Sequence, residues 1–165
     1  MNVLIVDDLM KDASMARDIL LECKSDLEII IETNSLKAKK ILSSQAAENI
    51  DLLILDLQMP KVDGIQILEF MEEKGIQIPV IVCSNFIEKY QDELDQVKVV
   101  KTFSKKSFLS VNPNTMADIF LQLNSLKSCM ILDGQISKYV KRKKKITCDF
   151  YESLNDLKKE LYQNA

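Results

Sequence analysis

Four consecutive apolar residues running straight into an acid constrain this chain more than any other feature. The stretch is DLLILDLQMPKVDG, from Asp51 to Gly64. Leu52, Leu53, Ile54 and Leu55 read as a core strand, Asp56 ends it, and Pro60 with the Asp63-Gly64 pair marks the turn that follows. A carboxylate on the last residue of a buried strand is costly unless a partner offsets its desolvation. Asp56 therefore points to a site.

The rest of the chain alternates short apolar runs with amphipathic stretches of helical period, the pattern of a parallel sheet built from βαβ units. The runs are Val3 to Val6, Leu27 to Ile31, Leu52 to Leu55, Val80 to Cys83 and Val97 to Val100. Helices are expected over Ala13 to Cys23, Leu36 to Leu42, Ile65 to Met71, Phe86 to Leu94 and Met116 to about Leu126, the last opened by Asn112 as N-cap and Pro113 at the first helical position. In an open sheet of this kind ligands bind beyond the carboxyl ends of the strands. The residues there are Asp7 and Asp8 after the first strand, Asp56 after the third, Ser84 after the fourth, and Lys105-Lys106 past the fifth. Three carboxylates brought together repel one another unless a cation joins them, and a hard divalent ion such as Mg²⁺ favours oxygen ligands of this type. Taken singly, an Asp-Asp pair reads as a solvated turn, Ser84 as a helix cap and the lysines as surface charges; the conjunction is what carries the signal.

That conjunction, with the turn Met59-Pro60-Lys61-Val62-Asp63-Gly64, resembles the receiver domains of two-component response regulators. The resemblance covers residues 1 to about 128. It implies an α/β fold with a doubly wound, five-stranded parallel sheet in the flavodoxin-like order 2-1-3-4-5. It further implies that Asp56 is the nucleophile that takes a phosphoryl group and that Mg²⁺ is the cofactor. Asp8 and Asp56 would ligate it directly, Asp7 through water, and Gln58 through its backbone carbonyl. Receivers place an aromatic residue three positions before their site lysine, and Phe103 lies three before Lys106, which makes Lys106 the expected cation. Ser84 and Phe103 match the hydroxyl and aromatic pair with which receivers switch state. The partners implied are a sensor histidine kinase or phosphotransfer protein and a downstream protein target, with homodimer formation left open. Apart from self-catalysed phosphoryl transfer and autodephosphorylation, no enzyme activity is expected.

Three departures from the family pattern bear on the site. Ser107 stands where a proline, joined by a cis bond, usually follows the lysine; a cis bond before a non-proline costs about 3 kcal/mol. Asn85 occupies a position commonly Ala or Gly. By the same resemblance, Gln58 and Phe86, two residues after Asp56 and Ser84, would line the path of the hydrolytic water and bear on the lifetime of the phosphorylated form.

Composition narrows the remaining classes. The 165 residues suit one domain with a modest extension. The longest apolar runs are too short to span a bilayer, and the chain reaches Asp7 without a basic-then-apolar leader, so a cytoplasmic protein is expected. Four scattered cysteines without a C-x-x-C pair, and no histidine, argue against zinc or a disulfide framework. Without histidine the chain cannot itself present phosphohistidine, so the phosphoryl donor must be another molecule.

Charge divides the chain near its end: residues 1–128 carry 14 Lys/Arg against 20 Asp/Glu, and residues 129–165 carry 8 against 5. In this extension a hairpin is expected around Asp133-Gly134 within 129–140, then a basic segment, Lys138 and Lys141 to Lys145, and a short amphipathic helix with Ser153 as N-cap and Phe150, Leu154, Leu157 and Leu161 on one face. The basic segment suggests a second reading, a nucleic-acid-binding regulator with the receiver used for dimerisation; no aromatic residues interleave with it, which disfavours that reading. A third reading is a degenerate receiver that keeps the fold as a scaffold. A metal-dependent phosphohydrolase is disfavoured because Gln58, not an acid, stands two residues after Asp56.

Overall fold

The computed structural model describes residues 1–97 and 99–123. The hairpin, basic segment and helix expected beyond residue 128 lie outside them. Within the compact unit Met1–Ala117 the strands are β1 (Asn2–Val6), β2 (Glu28–Glu32), β3 (Leu52–Leu55), β4 (Val80–Cys83) and β5 (Lys101–Phe103). All pair in parallel in the order β2-β1-β3-β4-β5, the expected doubly wound α/β arrangement. The helices are α1 (Met10–Cys23), α2 (Ser35–Leu42), α3 (Gly64–Lys74), α4 (Gln91–Leu94) and α5 (Lys105–Leu109). Helical backbone also runs over 113–123, opened as expected by Asn112, whose Oδ1 accepts from Asn114 N at 2.8 Å.

Alternation along the central strands feeds two cores. Leu4, Val6, Leu53, Leu55, Val80 and Val82 pack with Ala38 and Leu42 of α2 and with Ile65, Ile67, Leu68 and Met71 of α3. The intervening residues Val3, Ile5, Leu52, Ile54 and Ile81 are equally buried on the face where α1 meets β1 and α5. Because β1, β3 and β4 are covered on both sides, every residue in them after Asn2 is buried, which is why they read as unbroken apolar runs.

The elements beside the site begin where local chemistry stops the chain from drifting. Asn34 Oδ1 accepts from Leu36 N and Lys37 N to open α2. Asp63 opens α3 with a reciprocal capping box: its Oδ1 accepts from Gln66 N at 2.8 Å, and Gln66 Oε1 accepts from Asp63 N at 3.1 Å. Gly64 follows because nothing larger fits: a Cβ there would overlap the carbonyl oxygen of Asp56 and lie 2.8 Å from Leu57 Cα. The β3–α3 loop also contains Lys61, with φ 72° in the left-handed region. Buried Ser35 ties this loop to α2 by donating to Pro60 O at 2.8 Å.

Two expectations are corrected. The fifth strand is Lys101–Phe103, not Val97 to Val100; Val97 and Val99 are half-buried and pack against the core without forming the strand. An apolar run was thus mistaken for pairing, while the true edge strand, bonded on one side only, leaves Lys101 and Thr102 exposed and reads as polar. The expected helix over Phe86 to Leu94 is instead a 3₁₀ turn at Ile87–Tyr90 followed by the single turn of α4.

Candidate functional site

Asp7 follows the last residue of β1 and Asp56 the last residue of β3, so parallel pairing places the two acids side by side at the carboxyl edge. Asp56 N donates to Val6 O at 2.9 Å, extending the β1–β3 ladder to the acid itself. Both are buried, at 6% and 5% exposure, in a sheet whose other buried strand residues are apolar. Asp7 Oδ1 accepts from Leu9 N at 2.9 Å, and Asp56 Oδ1 accepts from Gln58 N at 3.3 Å. Asp8 is half-buried beside them, and one carboxylate oxygen each from Asp7, Asp8 and Asp56 lie within 4.8 Å of one another.

Among the described residues one ammonium enters this cluster, and it belongs to Lys105. Its Nζ lies 2.8 Å from Asp7 Oδ2, 2.8 Å from Asp12 Oδ2 and 3.0 Å from Asp56 Oδ2. The lysine expected from spacing, Lys106, is exposed. The cause is the position at which α5 begins. Ser104 is its N-cap, accepting from Ser107 N at 3.0 Å, which makes Lys105 the first helical residue and aims it back at the strand ends. Lys106, one residue on, is turned to solvent. Among the described residues all peptide bonds are trans, so the Lys106-Ser107 link lacks the cis geometry that goes with the family's Lys-Pro pair.

Burial dominates the electrostatics of Asp7 and raises its pKa above the usual carboxylate value; hydrogen bonds from Lys105 and Leu9 and the charge of Lys105 act against that rise, and the charge of Asp56 adds to it. For Lys105 burial acts in the opposite sense, lowering its pKa, but hydrogen bonds to Asp12, Asp7 and Asp56 outweigh it and hold the ammonium above the ordinary lysine range. A single positive charge thus faces four formal negative ones at Asp7, Asp8, Asp12 and Asp56. The surplus of converging hard oxygen donors fits a divalent cation of the Mg²⁺ type.

An open cavity of about 450 Å³ gives access to the cluster, lined among others by Asp8, Asp12, Asp56, Gln58, Asn85 and Lys105. Gln58 and Phe86 border it, as their positions two residues after Asp56 and Ser84 suggest. Ser84 is fully buried at the end of β4; its Oγ accepts from Phe86 N at 3.3 Å and its N donates to Phe103 O at 3.0 Å. Phe103 is half-buried and meets Phe108 edge-on, ring centroids 5.6 Å apart. Sequence reasoning missed Asp12. Its only signal was spacing: it lies one helical turn after Asp8 and in the first turn of α1.

Comparison with known proteins points the same way. A family model described as the response regulator receiver domain matches residues 3–111. The transcriptional regulatory protein FlgR of Helicobacter pylori is 32% identical over 111 residues, 66% of this chain and 26% of that protein. The chemotaxis protein CheY of Listeria monocytogenes is 34% identical over 85 residues, 51% of this chain and 67% of that protein. The crystal structure of the response regulator domain of Thermotoga maritima CheB superposes with a TM-score of 0.61 at 24% identity, covering 75% of this chain and 96% of that one, a likeness of fold. The chain spans only 23% and 26% of the length of two of the curated relatives it matches.

Proposed function

Because the chain belongs to the response regulator receiver domain family, we propose that it is a phosphorylation switch in a two-component relay, with Asp56 as phosphoryl acceptor. The observation that carries this reading is the placement of the Asp56 carboxylate: buried at a strand end, within reach of the Asp7 and Asp8 oxygens, paired with Lys105, and open to a cavity.

In the proposed step an Asp56 oxygen attacks phosphorus, the bond from phosphorus to the donor nitrogen breaks, and that nitrogen leaves with the electron pair, giving an acyl phosphate. The donor is a phosphohistidine of a sensor kinase or phosphotransfer protein, since this chain contains no histidine. Gln58 N donates to Asp56 Oδ1, so the nucleophile is oriented before the donor arrives. Asp7, Asp8 and Asp56, with the backbone carbonyl of Gln58, would hold Mg²⁺, which when bound neutralises charge on the phosphoryl oxygens. Lys105 takes the role first expected of Lys106, pairing with a phosphoryl oxygen. The Ser84 hydroxyl, whose oxygen accepts from Phe86 N, donates its hydrogen to another.

Ser84 and Phe103 are joined through Ser84 N and Phe103 O, so movement of the hydroxyl toward a phosphoryl group is coupled to the strand that carries the ring. We assign them as the switch pair, biased by contacts made in one state only. The output is a protein contact on the face bearing α4 and β5, residues 129–165 form an extension to the receiver, and the protein acts in the cytoplasm. Intact-mass measurement after incubation with Mg²⁺ and acetyl phosphate tests the reading. Wild type gains one phosphoryl group and Asp56→Asn gains none; no gain by wild type would leave a scaffold that keeps the fold alone.

A further inference from the structure

Lys105 engages a carboxylate that the converging acidic cluster does not include. Of its three partners, Asp7 and Asp56 belong with Asp8 to the group of oxygens that could hold a cation, and Asp12 does not. An ammonium has three N–H donors, and here each is matched by one carboxylate. The ammonium holds Oδ2 of Asp7 and Oδ2 of Asp56, so a divalent cation bound by the same carboxylates meets a like charge at close range. Cation binding therefore favours withdrawal of Lys105 from both.

Asp12 comes from a different element and offers a place to withdraw to. It lies in the first turn of α1, where the helix dipole favours an acid, and its backbone N is bonded to Leu9 O at 2.9 Å. Its side chain is 29% exposed, against 9% for Asp7 and 5% for Asp56, so it is the outermost of the three acids. Asp12 and Lys105 both line the 450 Å³ cavity and also a smaller one. The ammonium can therefore leave the inner acids without leaving the wall they share.

We propose that Asp12 is a berth for Lys105, holding its ammonium at the cavity wall when Asp7 and Asp56 serve a divalent cation, instead of releasing it to solvent. This rests on the reading of the pocket as a cation-dependent phosphoryl-acceptor site. Asp12 is a positioning residue: it acts through Lys105, keeping that cation within reach of an incoming phosphoryl oxygen.

The test is a double-mutant cycle on manganese affinity. Free Mn²⁺ is followed by electron paramagnetic resonance in the presence of full-length wild type, Asp12→Asn, Lys105→Met and the double variant. Lys105→Met binds Mn²⁺ more tightly than wild type because its competitor is gone. Asp12→Asn binds about ten-fold more weakly than wild type, because Lys105 loses its only remaining partner, whereas in the Lys105→Met background the same change costs no more than about two-fold. Asp12→Glu restores wild-type affinity, which separates the berth from a folding defect. An equal effect of Asp12→Asn in both backgrounds, or none in either, overturns the berth. Phosphoryl uptake from acetyl phosphate by wild type is measured alongside. Coupling without uptake sinks the phosphoryl-acceptor reading and keeps the berth; uptake without coupling does the reverse. No Mn²⁺ binding by any of the four proteins overturns the berth together with the metal site.

Discussion

The ammonium of Lys105 lies 3.0 Å from Asp56 Oδ2, joining residues 49 positions apart across the carboxyl edge of the sheet. Both side chains are largely buried, at 13% and 5% exposure, so the pair is held by packing and by two further carboxylates. A pair of this kind is costly to break from one side, because the remaining charge stays buried without its partner.

This geometry separates two adjacent lysines. Lys105→Met is expected to slow phosphoryl uptake from acetyl phosphate on the order of a hundred-fold, the cost typical of removing one preorganised charge-stabilising donor. Lys106→Met, an exposed change, should leave the rate within about two-fold. Initial rates from intact mass against time distinguish them, and the reverse ranking would restore the spacing-based assignment of Lys106.

Why the spacing pointed to Lys106 while the structure brings Lys105 to the acids is visible in β5. Interior strands are buried on both faces, so β1, β3 and β4 could be read directly, and with them Asp7, Asp8 and Asp56 at their ends. An edge strand gains less from burial, and the three residues Lys101–Phe103 leave Lys101 and Thr102 exposed, while Val97 and Val99 pack against the core ahead of the strand and Val100 joins the ladder only through its N, bonded to Val80 O at 2.8 Å. The helix start at Ser104 then sets which lysine turns inward, a matter of one residue that composition does not encode. Asp12 was hidden for another reason: a lone acid in a helix's first turn is ordinary, and only the fold brings Lys105 to it from 93 residues away.

Gly64 should not tolerate a side chain. A Cβ would meet backbone atoms of Asp56 and Leu57, and backbone cannot yield as a side chain can. Gly64→Ala is expected to destabilise the domain by about 2–3 kcal/mol, read as a lower urea midpoint at unchanged slope. Because the clash falls on Asp56 itself, phosphoryl uptake should drop as well; full stability would contradict the close approach.

Ionising Asp7 works against the fold when no divalent cation is present, since burial raises its pKa in the folded state. Its contribution to stability is complete below the unfolded value of 3.8 and is lost as pH rises through the raised folded value. Asp7→Asn should therefore have no thermal advantage over wild type in acid and gain one toward neutral pH. Excess Mg²⁺ should shrink that advantage by stabilising wild type. Thermal melts in chelator across the pH range check the sign, and a pH-independent difference would contradict it.

Cys83 lines a small cavity together with Lys105, and burial pushes its thiol up to about 12, with Lys105 acting to lower it and Asp7, Asp56 and Asp12 to raise it. At pH 8 roughly one such thiol in 10,000 is ionised, so alkylation by iodoacetamide should be negligible in the native protein and rapid in denaturant. Peptide mapping of the Cys83 peptide reports this, and fast native labelling would show that β4 is more open than the structure has it.

The most direct test of the central claim is to locate the acylated residue. After incubation with Mg²⁺ and acetyl phosphate, borohydride reduction converts an acyl-phosphorylated aspartate to homoserine, and fragmentation of the peptide spanning Ile41 to Lys61 distinguishes Asp51 from Asp56. The account predicts homoserine at position 56, lost when Mg²⁺ is chelated; modification at another carboxylate, or none at all, would contradict it.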